Sequence, residues 1–565
     1  MNPAPIKAPS SSPAWLRPAI VALAAFLLLA CFSTEVADAD TWFHLFTGKY
    51  LVQQHKLPLP DPFAFTTDSG TPLPGEETVR AFNVTHEWLA QSILYLSYAA
   101  GGFGGMVLLR AFLMTTFCGL VGLWTWRRSG GFYRALGAAF VTAFIASYFT
   151  SDRPFHITYV LIMVTILILE SRRWLWVLPP LFLFWANCHG GFFMGFVVLG
   201  AYCAESLWKR FRGKPEPDER RLWLVTAVCV PFAFLNPNGF RTLYILLAYK
   251  QSTLTRSLYE WQRPPLWPPS FLNLLLLAAA AVLIWRRKQT RVADWLLLAL
   301  FGAAYLQAIR NSPLLALVAP MIIATYFPWK RIAASWSDWA VAALLLGAIA
   351  VPFARGRAFQ LRYAAWKYPA GAAEFLLAHH ISGPMFNTFE KGAYLVWRCW
   401  PEQRDFIDGR GLNEQVFADY ERMIKYLPGT RELLDRYGLQ VVVMNAFEAN
   451  AGTPYVLPLA LADPSEKEWK LVFADSGATI FMRNPPPGVQ PLPSAQIFSS
   501  MEAQCQAILD NDPARPRCAR SLANLFRNTR DLGRARRWMG LYLEHRPDQN
   551  PADDAFYQQL SGLGQ

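Results

Sequence analysis

The feature that most limits what this chain can fold into is its series of long apolar runs. They begin with "PAIVALAAFLLLACFSTEV" at 18–36 and recur down to residue 354. A helix needs roughly 17–25 largely apolar residues to cross a hydrocarbon core. Runs of about that size fall at 17–37, 103–126, 132–149, 154–170, 173–188, 190–208, 222–236, 269–285, 293–309, 312–328 and 338–354. About eleven spans are therefore expected, with Gly190-Gly191 as the turn between two short ones. Composition agrees: 53% of residues are hydrophobic and only 16% charged, where a soluble chain carries about 25% charged.

The formal charge of +13 does not point to nucleic acid. Its Lys and Arg residues gather in short loops between alternate spans: Lys7, the 127–134 loop, Arg172 and Arg173, the 209–221 loop, the 286–291 loop, and Lys330 with Arg331. Basic loops stay on the cytoplasmic side. An odd number of spans then puts the N-terminus in the cytoplasm and residues 355–565 outside, in a multi-pass protein of the cytoplasmic membrane. The first run is longer than a signal-peptide core and reads as a retained helix.

The expected fold is mainly α: a polytopic membrane bundle, a C-terminal extracytoplasmic α/β domain and a short tail resembling tetratricopeptide repeats. The boundaries are 1–354 for the membrane domain, with interfacial helices in its first outer loop (38–102), 355–486 for the α/β domain, and 487–565 for linker and tail. In the α/β domain "GPMFNTF", "RDFIDGR", "LQVVVMNAF" and "ATIFMRN" read as strands; "PAGAAEFLLAHH", "GAYLVWRCW" and "FADYERMIKYL" read as helices. No CxxC pair occurs among the eight cysteines, and no zinc spacing. Cys505 and Cys518 are the pair able to form a disulfide if the tail lies outside.

Outer-side polar residues carry the chemistry candidates. Asp38 and Asp40 end the first span and precede "TWFHLFTGKYLVQQH", whose apolar residues recur at helical spacing and whose His44 sits at headgroup level. Either the two acids simply flank a helix end, or one acts as general base, or the pair holds Mg²⁺ or Mn²⁺, which prefer hard oxygen ligands. Asp61 in "PLPDPF" reads as a turn residue. Glu87 is either an acid at the interface or the capping partner of a helix beginning near 83–85. Asp152 and Arg153 are a local ion pair or a second acid with a phosphate-gripping fork, and Arg310 has the same two readings. Asn187 and His189 in "WANCHGGFFMG" either bind substrate or pack. No charged group is expected deep in a span and no inverted repeat is evident, which counts against a transporter.

The words "ADADTWFHLFTGKYLVQQHKLPLPDPFAFT", "DRPFH", "WANCHGGFFMG", "LNPNGF", "RNSPLLALVAP", "FNTFEKGAYLVWR" and "FIDGR" resemble bacterial multi-spanning proteins of the GT-C glycosyltransferase superfamily, over roughly residues 15–480. The resemblance implies a polyprenyl-phosphate-sugar donor in the outer leaflet and inverting transfer to a protein, lipid or polysaccharide acceptor. It implies a key acid in the first outer loop, at Asp38 or Asp40, and a second at Asp152. Two alternatives stand beside it. One is a non-catalytic membrane scaffold that keeps the fold; the other is a polysaccharide ligase or polymerase. The basic terminal helices are the expected surface for a protein partner.

Overall fold

The computed structural model describes residues 12–248, 258–329 and 334–562. Lys7, Lys330, Arg331 and residues 249–257 of the outer segment 236–268 lie outside the described residues. The chain divides into two compact units, Met1–Leu57 with Ala81–Tyr363, and Pro58–Arg80 with Ala364–Gln565.

The first unit is helical. Its early helices are α1 (Leu16–Phe32), α2 (Thr41–Gln54), α3 (Glu76–Thr85), α4 (Trp88–Ser129), α5 (Phe132–Ala146), α6 (Phe155–Ser171), α7 (Leu178–Cys188) and α8 (Phe193–Phe211). Each of the eleven apolar runs is largely helical. Among the described residues, five helices are long and apolar enough to cross a membrane; five more apolar helices have 10–17 residues. The core is a continuous aliphatic and aromatic cluster reaching from α1 to Tyr326.

Four glycines shape α4 and the packing of α2 on it. α4 bends at Gly101 and Gly102, the latter at φ +58°. A left-handed turn of this kind suits a residue with no Cβ. Just beyond the bend, the Ser97 carbonyl approaches so closely that a Cβ on Gly105 would lie 2.1 Å from it. At Gly48 the Gln91 backbone carbonyl would lie 2.2 Å from a Cβ, which is how α2 packs flush on α4. Residues 41–48 are all buried, so the first two turns of α2 pack into protein on every side rather than along one apolar stripe.

The expectation that no charge lies deep in a span is corrected by Arg110. It sits inside α4 at 2% exposure and is bonded to Asp152. A charge at that depth is tolerated only with a partner. At the basic end of the bundle, arginines interleave with acids: Arg128 with Asp294 (2.7 Å) and Glu170 (3.0 Å), and Arg291 with Glu170 (2.8 Å) and Glu205 (2.9 Å).

The second unit holds a four-stranded mixed sheet. Its strands are β1 (Met385–Asn387), β2 (Val441–Met444), β3 (Lys470–Ala474) and β4 (Thr479–Met482), in the order β1-β2-β4-β3. β1 and β2 are parallel; β4 pairs antiparallel with both β2 and β3. All four residues of β2 and of β4 are buried, as strands covered on both faces require. "RDFIDGR" is not a strand: it is a loop that makes one bridge, Asp405 to Ala64. The remaining strand is instead the edge strand "KLVFA", which the sequence reading did not name.

Residues 58–80 are woven into this unit. Phe65 donates to the Asp405 carbonyl (3.2 Å), Asp405 to the Phe63 carbonyl (3.2 Å), and the Asn413 amide to the Ser69 carbonyl (2.8 Å). Asp61 is the turn residue expected, receiving Phe63, Ala64 and Thr67. It also binds the buried Arg410 at 2.7 Å, which the turn reading did not anticipate. Four terminal helices follow, Gln496–Asn511, Arg517–Asn528, Leu532–His545 and Pro551–Gly562. Cys505 and Cys518 form a disulfide between the first two.

Candidate functional site

The first unit gathers polar residues from the α1–α2 link, α2, the turn before α4 and the loops before α6 and α8 into two adjoining groups. The first is an ion-pair chain. Asp38, in the link from α1 to α2, accepts two hydrogen bonds from Arg153, from Nε at 2.8 Å and Nη2 at 3.0 Å. This fork-on-carboxylate arrangement fixes both partners in one plane. Asp40 lies 3.0 Å from Nη1 of the same guanidinium. Glu260 follows at 3.7 Å and carries the chain to Arg310 at 3.1 Å, whose guanidinium lies 4.3 Å over the Trp261 ring. The Asp40 amide donates to Asp38 Oδ1 (2.9 Å), a two-residue turn that points both carboxylates the same way at the start of α2.

Burial by itself would raise the Asp38 carboxyl; the Arg153 guanidinium outweighs it and holds Asp38 below the ordinary carboxylate range. Burial equally opposes the charge on Arg153, but Asp38, Asp40 and Glu260 keep it charged. Asp38 and Arg153 are therefore ionised because of their neighbours.

The second group surrounds Glu87. His86 Nε2 lies 3.3 Å from its carboxylate, His44 Nδ1 3.5 Å and His189 Nε2 3.6 Å. Glu87 makes no capping bond to α4, although it stands at its N-cap. His189 is fixed in one tautomer: the Gly191 amide donates to its Nδ1 at 3.0 Å, so the ring proton sits on Nε2, towards Glu87. Thr158, held by the Trp185 indole, also meets Nδ1 at 2.8 Å. His86 presents its other nitrogen to the Phe82 carbonyl (2.9 Å). Burial holds His44 and His189 down to about 4, against the pull of Glu87, so both are neutral at physiological pH. His44 feels the charges of Asp38 and Arg153 as well as that of Glu87, and so joins the two groups.

Two candidates stand apart. Asp152 is 2% exposed and bonds Arg110 at 2.6 Å, which also donates to the Phe32 and Thr34 carbonyls at the end of α1. Burial pushes Asp152 up to about 6 against the pull of Arg110. The Asn187 amide receives the Trp88 indole (2.7 Å) and donates to the Leu183 and Leu235 carbonyls (2.8 and 3.0 Å), which makes it a strut between helices. Reasoning from sequence missed Arg110, Glu260 and His86. Arg110 was legible as a charge inside an apolar run; Glu260 and His86 had no distinguishing signal.

Asp38 and Asp40 do not fit a divalent cation in this arrangement. Both already face Arg153, and among the described residues no three His, Cys, Asp or Glu side chains group to hold a metal.

No family model and no curated protein matches the chain. Among solved structures, it is similar to the archaeal oligosaccharyltransferase AglB from Archaeoglobus fulgidus in complex with an inhibitory peptide and a dolichol-phosphate. Identity is 11% and the TM-score 0.50, over 94% of this chain and 86% of that one. A second similar structure is an Archaeoglobus fulgidus oligosaccharyltransferase in the apo form, at 12% identity and TM-score 0.49, over 87% and 78%. Identities this low speak to architecture. With its apolar helical bundle and small C-terminal sheet, this chain shares the overall fold of that archaeal membrane protein.

Proposed function

We propose that this protein is an integral membrane glycosyltransferase that moves a sugar from a polyprenyl-phosphate donor to an extracytoplasmic acceptor. The observation that carries the reading is the Asp38–Arg153–Asp40 cluster at the start of α2, joined through Glu260 to Arg310. Dolichol-phosphate, present in the AglB complex, belongs to the lipid class proposed here. The disulfide Cys505–Cys518 favours an oxidising compartment for the second unit, outside the cytoplasm.

The chemistry follows from who holds whom. Asp38, gripped by two bonds, aligns the Arg153 fork. Asp40 lies 3.0 Å from Nη1 of the same fork, at the start of α2, and is the carboxylate that takes the acceptor hydroxyl in this reading. The hydroxyl oxygen attacks the anomeric carbon as its proton passes to Asp40, and the bond from that carbon to the phosphate oxygen breaks. The electron pair leaves with the polyprenyl phosphate, whose charge Arg153 and Arg310 stabilise. Glu87, His44 and His189 line the adjoining side as neutral or anionic hydrogen-bonding partners for the sugar. Asp152 acts through Arg110, by fixing the end of α1 that presents Asp38.

The test is mass spectrometry of lipids that co-purify with wild type and with Asp40→Asn. The proposal expects a polyprenyl-phosphate sugar to accumulate in the variant and to be turned over by wild type. Only ordinary phospholipids in both would sink it. One observation favours a scaffold as the second reading: the carboxylates of the cluster are already satisfied by arginine within the fold.

A further inference from the structure

The last four helices carry an anion-receptive face that the membrane chemistry does not use. Between 515 and 537 lie eight arginines and one acid, Asp531, a local charge of +7. Some of these arginines are neutralised in place: Arg520 bonds the buried Asp553 at 2.6 Å, and Arg515 meets Asp512 at 3.2 Å. Four are not. Arg527, Arg530, Arg536 and Arg537 are exposed and make no ion pair among the described residues. Three of these lie over aromatic rings: Arg527 at 4.9 Å over Phe556, Arg536 at 6.0 Å over Tyr557, and Arg537 at 5.6 Å over Trp538. Stacking on a ring orders the guanidinium plane while leaving its edge donors free for an incoming carboxylate.

Beside this face, helices Arg517–Asn528 and Pro551–Gly562 border an open groove of about 630 Å³. Arg520, Asn524 and Arg527 line one wall at i, i+4, i+7; Phe556 and Gln559 line the other. The amides of Asn524 and Gln559 match the N–H and C=O groups of an extended backbone, and Phe556 gives an apolar floor. A membrane surface fits less well. No large hydrophobic side chain beyond Val456 is strongly exposed among the described residues, so nothing is available to insert into lipid.

We propose that the groove and its arginine rim bind an acidic, extended segment of a partner protein. This does not depend on the glycosyltransferase reading. The test uses the full chain in detergent and a fluorescein-labelled peptide, (Glu-Gly-Glu-Leu)₃, followed by anisotropy. Wild type is expected to bind it more weakly as salt rises, and to ignore the Lys-for-Glu counterpart. Arg527→Glu with Arg536→Glu is expected to weaken binding about tenfold or more, while Arg527→Lys with Arg536→Lys keeps it within about threefold. The lysine pair keeps the test informative should the glutamate pair disturb the fold. Absence of binding by wild type, equal binding by the glutamate pair, or equal capture of the Lys peptide would overturn the proposal. So would arginine-dependent capture on phosphatidylglycerol vesicles without peptide binding.

Discussion

Arg153 decides whether the candidate site holds together. One guanidinium serves Asp38 and Asp40 and reaches towards Glu260. A lysine keeps the charge but presents a point instead of a fork. Arg153→Lys is therefore expected to lower sugar transfer by about 100-fold with the protein still folded, read by turnover of lipid-linked sugar and by thermal unfolding. Transfer at the wild-type rate would remove Arg153 from the site. In the second unit, Asp405 is fully buried beside Asp61, Asp408 and Arg410, and no amide, hydroxyl or guanidinium donates to its carboxyl oxygens among the described residues. Burial, with Asp408 adding to it, holds Asp405 well above the ordinary 3.8, so the folded protein keeps a proton that the unfolded chain releases. Stability then falls as pH rises from about 4 towards the raised value, because the folded state binds more protons. Asp405→Asn removes that dependence. Thermal midpoints against pH are expected to flatten and to rise by roughly 1–3 °C at pH 8; an unchanged slope would exclude Asp405 as the group responsible.

At the scale of elements, the packing of α2 on α4 rests on Gly48. A Cβ there meets the Gln91 carbonyl at 2.2 Å, and Gln91 also touches His44 at 3.3 Å. Gly48→Ala is expected to destabilise by about 1–3 kcal/mol and to loosen the contact between His44 and Glu87, checked by thermal unfolding in detergent. A neutral effect would mean that α2 can slide without cost. How much of this was readable depends on the kind of signal. Apolar runs of helical length gave the helices, because burial in one medium needs only composition. "RDFIDGR" misled because Phe406 and Ile407 are buried through a loop, with Asp408 and Arg410 bonded to each other rather than alternating to solvent. The strand "KLVFA" was overlooked because five residues at an edge carry little periodicity. Asp38, Asp40 and Arg153 could be named from their places at span ends; the contact of Asp38 and Arg153, separated by 115 positions, could not. Glu260 had no signal at all, since only the folded chain puts it between two arginines.

For the whole molecule, the terminal module relies on a covalent link as well as its core. The loop closed between Cys505 and Cys518 spans 13 positions, for which loop-closure entropy estimates give about 3 kcal/mol. Cys505→Ala is expected to destabilise the terminal helices by about 2–3 kcal/mol, read as faster hydrogen exchange there with exchange in the membrane helices unchanged. Equal exchange throughout would mean that packing around Cys518 suffices alone. The interlacing of residues 58–80 with the second unit carries a consequence for biosynthesis. Asp61 is translated 349 positions before its partner Arg410. At about 5–20 residues per second the early segment waits roughly 20–70 seconds before the rest of its fold exists. During that interval Asp61 has no guanidinium to meet, and the carbonyls that later receive Asn413 stand open. The ribosome therefore delivers this unit in two instalments, and a gene fragment beginning at 364 would encode only the later one.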